Sequence, residues 1–480
     1  MGKRHLAIDI GASSGRAIVG EVDEKGAMRL TEVHRFENGL HKAPDGHLCW
    51  DVDSLFRNVL EGLRAAKARG LVPSTVGIDT WAVDFILLDE RDRLVGEAVG
   101  YRDSRTDGVR EELEASGTLG FLEHYARTGI QYQPFNTAYQ LFSLRREHPE
   151  QLDRARSLLM IPDYLNFLLT GQKASEYTNA STTALVGATS RAWDDELIGR
   201  LGLPRGVFQG ILMPGSSLGG LRPDIAAEVG FDAEVVLPAT HDTGSAWLAV
   251  PGGDGDAACI SSGTWSLLGT TLDHPVTTPE SARANFTNEG GYGGTYRYLK
   301  NNMGLWMIQS VRREARQSDG GLPTWGELVD AAKAAREKGF RAVVDAEDGR
   351  FLAPCSMTEE IVKACEETGQ SVPGETGEVA LVVYDSLAQA YARSIERMSE
   401  LTGVRYQSVN VVGGGSNNDY LNQATADACG LPVTAGPTEG TAIGNIMVQL
   451  VSSGEYADMG EARVAIRKSF PLRGFEPQGM

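Results

Sequence analysis

The pattern of apolar and polar positions changes almost at once. Leu6 to Ile10 is an apolar run broken only by Asp9; Gly11, Ala12, Ser13, Ser14, Gly15 and Arg16 follow, and a second apolar run begins at Ala17. This predicts two strands joined by a tight turn of small residues, with the glycines letting the backbone reverse. MRLTEVHRF, residues 28–36, reads as a third strand. From Asp51 the period lengthens: Val52, Leu55, Phe56, Val59, Leu63 and Ala66 recur at helical spacing, with Asp51 placed as the cap. STVGIDTWAVDFILLDE, residues 74–90, predicts a further strand or pair of strands, and strands that feed a helix and return to strand predict an α/β layered fold. Residues 101–183 read as helix and loop carrying the polar clusters YRDSR, NTAYQLFSL, MIPDYLNFLLTG and SEYTNASTT, which suit caps and turns. The strand AEVVLPA then ends at Thr240, His241, Asp242 and Thr243.

PGGDGDA, residues 251–257, is short, glycine-rich and acidic, and predicts a boundary that divides the chain into domains 1–250 and 251–480. Directly after it the opening pattern returns. ACISSGTWSLLGTTL, residues 258–272, is again strand, small polar turn and strand, which suggests a repeated core. A turn at 291–294 separates short strands, and MGLWMIQSV predicts a helix, with Asn301 and Gln309 as polar positions that can face a ligand. A helical stripe runs through Val383, Leu387, Tyr391, Ile395 and Met398 and stops near Gly403. YQSVNVVGGGSNN is a strand ending in Gly413 to Gly415, which allows close backbone approach to a flat base, and GPTEGTAIGN is a second glycine-bounded loop.

Composition narrows the function. The chain has 480 residues, 41% hydrophobic and 23% charged, enough for two cores. A net charge of -19 disfavours nucleic acid or an anionic membrane as partner, while glycine turns and helix N-termini can still bind a phosphorylated small molecule. Five scattered cysteines predict a reducing cytoplasm without structural disulfides, and neither a signal peptide nor a membrane span is expected. Neither GxxxxGK[ST] nor a helix directly after the first glycines occurs, so a Walker loop and a dinucleotide fingerprint are both unsupported.

Four places carry candidate chemistry. An acid at the end of the first strand, Asp9, can hold a divalent cation beside phosphates, or is a surface acid of a hairpin. Asp79, Trp81 and Asp84 interrupt a buried stretch and need partners or a ligand; Trp81 is a stacking face for a sugar or a core residue. Asp242, directly after a strand, is either the base that accepts the proton of an attacking hydroxyl or a helix cap, with His241 orienting. The two hairpin turns are the phosphate-type elements.

Taken together, DIGASSGR (9–16), RFENGLH (35–41), WDVDSL (50–55), GIDTWAVDF (77–85), YRDSRT (101–106), PFNTAYQL (134–141), THDTGSA (240–246), SSGTWSLLG (261–269), TNEGG (287–291), LKNNMGLW (299–306) and VVGGGSNN (411–418) resemble the FGGY family of carbohydrate kinases over nearly the whole chain. That resemblance implies a duplicated ribonuclease H-like fold of the actin, hexokinase and Hsp70 type, two domains around a central cleft that close over phosphoryl transfer. It further implies ATP and Mg²⁺ as cofactors and L-rhamnulose as the acceptor at O1, in L-rhamnose degradation. By the same resemblance Asp242 is the base; Ala82, His241, Asp242 and Thr243 contact the sugar; Ala12, Ser13, Ser14, Gly15, Arg16, Thr264, Asn301, Gln309 and Gly414 contact ATP; and Asp9 stands near the Mg²⁺-bound phosphates. Two positions depart from a family member: Ala82 replaces a glycine, and Thr425 replaces a cysteine that pairs with the counterpart of Cys429, so that bridge cannot form. A monomer or weak homodimer is expected. Other readings that share the phosphate features are a kinase for another ketose or polyol, a non-catalytic actin-like nucleotide-binding protein, and a sugar-responsive regulator without turnover.

Overall fold

The computed structural model describes residues 3–252, 255–316 and 321–478. Part of the predicted boundary, residues 253 and 254, lies outside them. The chain forms two compact units: one of residues to 249 with 271–298 and 440–469, the other of 250–270, 299–439 and the residues from 470. Two stretches from beyond residue 250 therefore pack with the first half. The physical reason is visible for the second of them, the helix Gly440–Ser452. It lies on the first unit's sheet, where Gln449 Nε2 donates to the Leu6 carbonyl and Asn445 Nδ2 to the Gly77 carbonyl, both at 3.1 Å.

The first unit is built on a six-stranded sheet. Its order from one edge is Met28–Glu37, Ser14–Val22, Arg4–Ile10, Thr75–Thr80, Glu234–Val236 and Ser217–Gly220. Arg4–Ile10 and Ser14–Val22 are antiparallel, as the alternation predicts, whereas Arg4–Ile10, Thr75–Thr80 and Glu234–Val236 are mutually parallel. The helix Val52–Ala68 covers one face. Asp51 caps it by accepting from Ser54 N at 2.7 Å, and the predicted stripe of Val52, Leu55, Val59, Leu63 and Ala66 is buried against the sheet. A second core collects residues 85–208, among them Tyr139, Leu158, Tyr177 and Trp193.

In the first turn Gly15 serves packing, and neither glycine is needed for a left-handed backbone. Neither Gly11 nor Gly15 has a positive φ. A Cβ on Gly15 would lie 2.1 Å from Phe36 Cζ, so hydrogen is the only side chain that fits beneath the ring.

The second unit repeats the arrangement. Tyr296–Met303, Trp265–Leu272, Ala257–Ser262, Ser408–Val412, Val433–Ala435 and Arg473–Phe475 stand in that order. The pairings Ala257–Ser262 with Trp265–Leu272 (antiparallel), with Ser408–Val412 (parallel) and onward to Val433–Ala435 (parallel) match those of the first unit strand for strand. The helix Thr376–Thr402 buries Val383, Leu387, Tyr391, Ile395 and Met398 and stops at Gly403, φ 71°. Among the described residues no helix is long and apolar enough to cross a membrane, and Cys49, Cys355, Cys365 and Cys429 are free thiols.

The tightest helix contact in the first unit is between Gly440–Ser452 and Asp242–Leu248, where a Cβ on Gly444 would meet the Ser245 carbonyl oxygen at 1.8 Å. Backbone cannot yield as a side chain does. Gly444→Ala is expected to destabilise the protein by about 1–3 kcal/mol through overpacking, read as a lower urea midpoint with unchanged slope.

Candidate active site

In the first unit the parallel strands all end on one side, where open α/β sheets place ligands. Asp9 and Asp79 are register partners, and Thr80 N donates to the Thr240 carbonyl at 2.9 Å, which aligns residues 240 and 241 with the end of Thr75–Thr80. Strand pairing thus gathers Asp9, the 11–13 turn, Ala82 and residues 240–243 along one sheet edge. The turn is anchored from the third strand's end: Asn38 N donates to the Ser13 carbonyl at 3.0 Å and Asn38 Nδ2 to the Gly11 carbonyl at 2.9 Å.

Asp242 is the first residue of its helix, and His241 holds the capping position without a side-chain cap bond. The Asp242 carboxylate is half-buried; Thr243 N and Oγ1 both donate to Oδ1, at 2.5 and 3.1 Å. Asp9 pairs with Arg16 at 3.0 Å. Asp79 is fully buried, and its Oδ2 accepts from Asn445 Nδ2 at 2.5 Å, while Oδ1 has no hydrogen-bond partner among the described residues. Burial, then the Asp9 carboxylate, hold the Asp79 carboxyl well above the usual range; Asn445 opposes this and Asp242 adds to it. Among the described residues no group of three or more His, Cys, Asp or Glu is placed to hold a metal. The oxygen donors of Asp9 and Asp79 nevertheless suit Mg²⁺, which takes one or two carboxylates and fills its shell with water and phosphate.

The polar clusters of residues 101–183 grip this edge. Glu176, fully buried, caps Tyr177–Ser181 and accepts from Thr240 N at 3.1 Å and Thr240 Oγ1 at 2.7 Å. Burial holds its pKa above the usual carboxylate range, opposed by the hydroxyl and N–H of Thr178, the Thr240 hydroxyl and Asn179 N. Asp84 accepts from Trp50 Nε1 at 2.7 Å, Trp81 Nε1 at 2.9 Å, Tyr101 N at 3.1 Å and Gln140 Nε2 at 3.2 Å. Trp81 is buried with its ring 4.0 Å from that of Trp50. Between Ala82 and Asp84, Val83 sits at φ 68°, a strained conformation for a β-branched residue, and its carbonyl is held by Thr137 Oγ1 at 2.6 Å. Ala82 itself is half-buried.

In the second unit the turn after Ala257–Ser262 exposes Thr264. Leu305 N donates to the Gly263 carbonyl at 2.9 Å and Trp306 N to the Thr264 carbonyl at 3.1 Å. Gly304 makes this possible, since a Cβ there would lie 2.6 Å from the Trp265 carbonyl carbon. Asn301, on Tyr296–Met303, and Gln309, on Trp306–Glu314, are half-buried. Of the glycine triplet only Gly414 is exposed. Gly413, at φ 82°, and Gly415 press against Ser262, so two of the three are required by packing within the unit.

Two residues with no assigned role in the sequence reading stand beside His241. Glu289 Oε2 lies 3.2 Å from His241 Nδ1 and 2.8 Å from Arg297 Nη2. The motif TNEGG was the available signal for Glu289; Arg297 had none.

Comparison with known proteins adds the following. The model of the FGGY carbohydrate kinase N-terminal domain matches residues 5–249 and that of the C-terminal domain residues 258–453. A rhamnulokinase of Halalkalibacterium halodurans is 48% identical over 472 residues, 98% of this chain and 98% of that protein. A rhamnulokinase of Oceanobacillus iheyensis is 47% identical, covering 98% and 97%. Among solved structures, xylulose kinase from Rhodospirillum rubrum superposes with TM-score 0.81 at 17% identity, over 99% of this chain and 94% of that one. Plasmodium falciparum glycerol kinase with ADP gives 0.81 at 16%, over 100% and 95%.

Asp84 supplies a test of the scaffold. Burial, opposed by its four donors, raises its pKa to about 6 from 3.8. The folded state then binds the proton more tightly than the unfolded one, so Asp84's contribution is full below pH 4 and is lost as pH rises through 6. The stability of the wild type minus that of Asp84→Asn should fall by roughly 2–2.5 kcal/mol between pH 4 and 7, measured by urea unfolding at each pH.

Proposed function

The chain belongs to the FGGY family of carbohydrate kinases, with the α/β fold of the actin, hexokinase and Hsp70 group, and on that premise we propose that it transfers the γ-phosphoryl group of ATP to O1 of L-rhamnulose, giving L-rhamnulose 1-phosphate and ADP. The observation that carries the chemistry is Asp242, a half-buried carboxylate on the first turn of a helix, at the sheet edge that also holds Asp9 and the first hairpin turn. The choice of acceptor rests on near full-length relatives that are rhamnulokinases at 42–48% identity.

Thr243 engages Oδ1 of Asp242 with two hydrogen bonds. Oδ2 is then the oxygen that accepts the O1 proton as O1 attacks the γ-phosphorus. His241, Thr243 and the backbone at Ala82 hold the sugar. In the first unit the turn Ala12 to Arg16 offers backbone N–H groups to nucleotide phosphates. In the second, Thr264, Asn301, Gln309 and Gly414 are the residues assigned to nucleotide contact. Asp9 would hold Mg²⁺, through water, and the cation when bound neutralises charge on the phosphates. The free thiols of Cys49, Cys355, Cys365 and Cys429 and the use of ATP support a cytoplasmic setting.

Replacing the base leaves nucleotide contacts in place. Asp242→Asn is expected to lower turnover by roughly 10²-fold or more, with the affinity for ATP largely kept, as measured by coupled ADP release and nucleotide titration. Near-normal turnover would remove Asp242 from the role of base. A panel of ketoses and polyols in the same assay tests the acceptor: a polyol preferred over L-rhamnulose would reassign the substrate and leave the phosphate chemistry standing.

A further inference from the structure

His241 is flanked on both ring nitrogens. Nε2 faces Asp242 Oδ1 at 3.5 Å. Nδ1 lies 3.0 Å from Arg297 Nη2 and 3.2 Å from Glu289 Oε2, and those two groups form an ion pair of 2.8 Å. We propose that Glu289 and Arg297 are positioning residues that fix the orientation and proton arrangement of the His241 ring, and through it the setting of the Asp242 carboxylate. This deepens the role proposed for Asp242 and rests on it.

The geometry leaves the ring little choice. An imidazole nitrogen is either a donor or an acceptor. A guanidinium can only donate, so Nδ1 accepts from Arg297 Nη2 and the neutral ring carries its proton on Nε2, the nitrogen that faces Asp242; Glu289 Oε2, without a hydrogen-bond partner among the described residues, acts on the ring through the guanidinium it is paired with. Arg297 is 2% exposed, and its Nε donates to the Gly290 carbonyl at 3.1 Å. Its Nη1 is buried without a partner among the described residues, so Glu289 is the charge that offsets it. Burial opposes ionisation of Glu289, yet Arg297 and His241 bring its pKa down to about 2, and it is an anion wherever the enzyme works. Gly244 belongs to the same arrangement: a Cβ there would stand 3.5 Å from Arg297 Cζ and 3.2 Å from Ala239 Cβ, so the catalytic helix lies directly on the guanidinium. The charged groups around the ring are Asp242, Glu289 and Arg297; Asp79 is the further carboxylate whose ionisation senses Asp242, and Asp9 and Arg16 act on Asp79.

The experiment compares Glu289→Gln, Glu289→Asp and Arg297→Lys in the full-length chain, with Asp242→Asn as the reference. Glu289→Gln keeps the shape and removes the charge. It is expected to lower kcat about tenfold or more with the KM for ATP unchanged, to displace the rate–pH profile, and to alter the ¹⁵N signals of the His241 ring. Glu289→Asp should restore part of kcat and the wild-type signals; Arg297→Lys, which keeps the charge, should fall between. A loss of thermal stability with unchanged pH profile and unchanged ring signals would make the pair a structural ion pair and overturn the proposal. So would wild-type kcat in Glu289→Gln while Asp242→Asn is inactive. Should Asp242→Asn stay active, the reading of the base itself fails, a result separate from either.

Discussion

The site depends on parallel strand pairing. Arg4–Ile10 and Thr75–Thr80 run side by side with Asp9 opposite Asp79, and Thr80 N bonds the Thr240 carbonyl, so three acids from distant parts of the chain come to the same sheet edge. A slip of one residue in either register would turn one acid to the other face of the sheet. The gathering is electrostatically costly. Asp79 is buried with its carboxyl pushed up by burial and by Asp9, and Arg16 is the cation that partly offsets the pair. An edge so loaded is poised for a partner that brings positive charge with it, as a divalent cation on a nucleotide does.

A second set of buried acids keeps that edge in place by accepting hydrogen bonds. Glu176 takes donors from its own helix start and from Thr240; Asp84 takes two indole N–H groups, a backbone N–H and the Gln140 amide. Each is a case of a charge that can be buried because the surroundings are donors. Val83 shows the same grip acting on backbone: its positive φ persists because Thr137 and Gln140 hold its carbonyl. Polar clusters that read from sequence as caps and turns are caps and turns, and in addition they are the frame of the site.

Local pattern made much of this legible. Alternation gave both hairpins, the 3.6-residue period gave Val52–Ala68 and Thr376–Thr402, and Asp51 was recognisable as a cap because its role is settled within three residues. The return of Gly440–Ser452 to the first unit was hidden, since IGNIMVQL is buried on every side and its polar pair, Asn445 and Gln449, does not tell from sequence which sheet it serves. The packing roles of glycines were hidden for a related reason. Gly15 answers to Phe36, and Gly413 and Gly415 to Ser262, contacts set by tertiary packing and absent from any short window. His241 stands beside Asp242 in the sequence itself, but Arg297, 56 positions on, could not be placed there, because only the fold brings that guanidinium to the ring.

The two hairpins show what duplication preserves. In the first unit the carbonyls of Gly11 and Ser13 are occupied by the amide and backbone N–H of Asn38. In the second the carbonyls of Gly263 and Thr264 are occupied by the N–H groups of Leu305 and Trp306. The donors come from a strand end in one case and the start of a helix in the other, yet the outcome is the same. Each turn also closes on itself, Gly11 N donating to the Ser14 carbonyl at 2.9 Å and Gly263 N to the Trp265 carbonyl at 3.0 Å, so both are fixed by their own backbone and by a donor from outside the turn, and duplication has kept that rigidity while changing the donor.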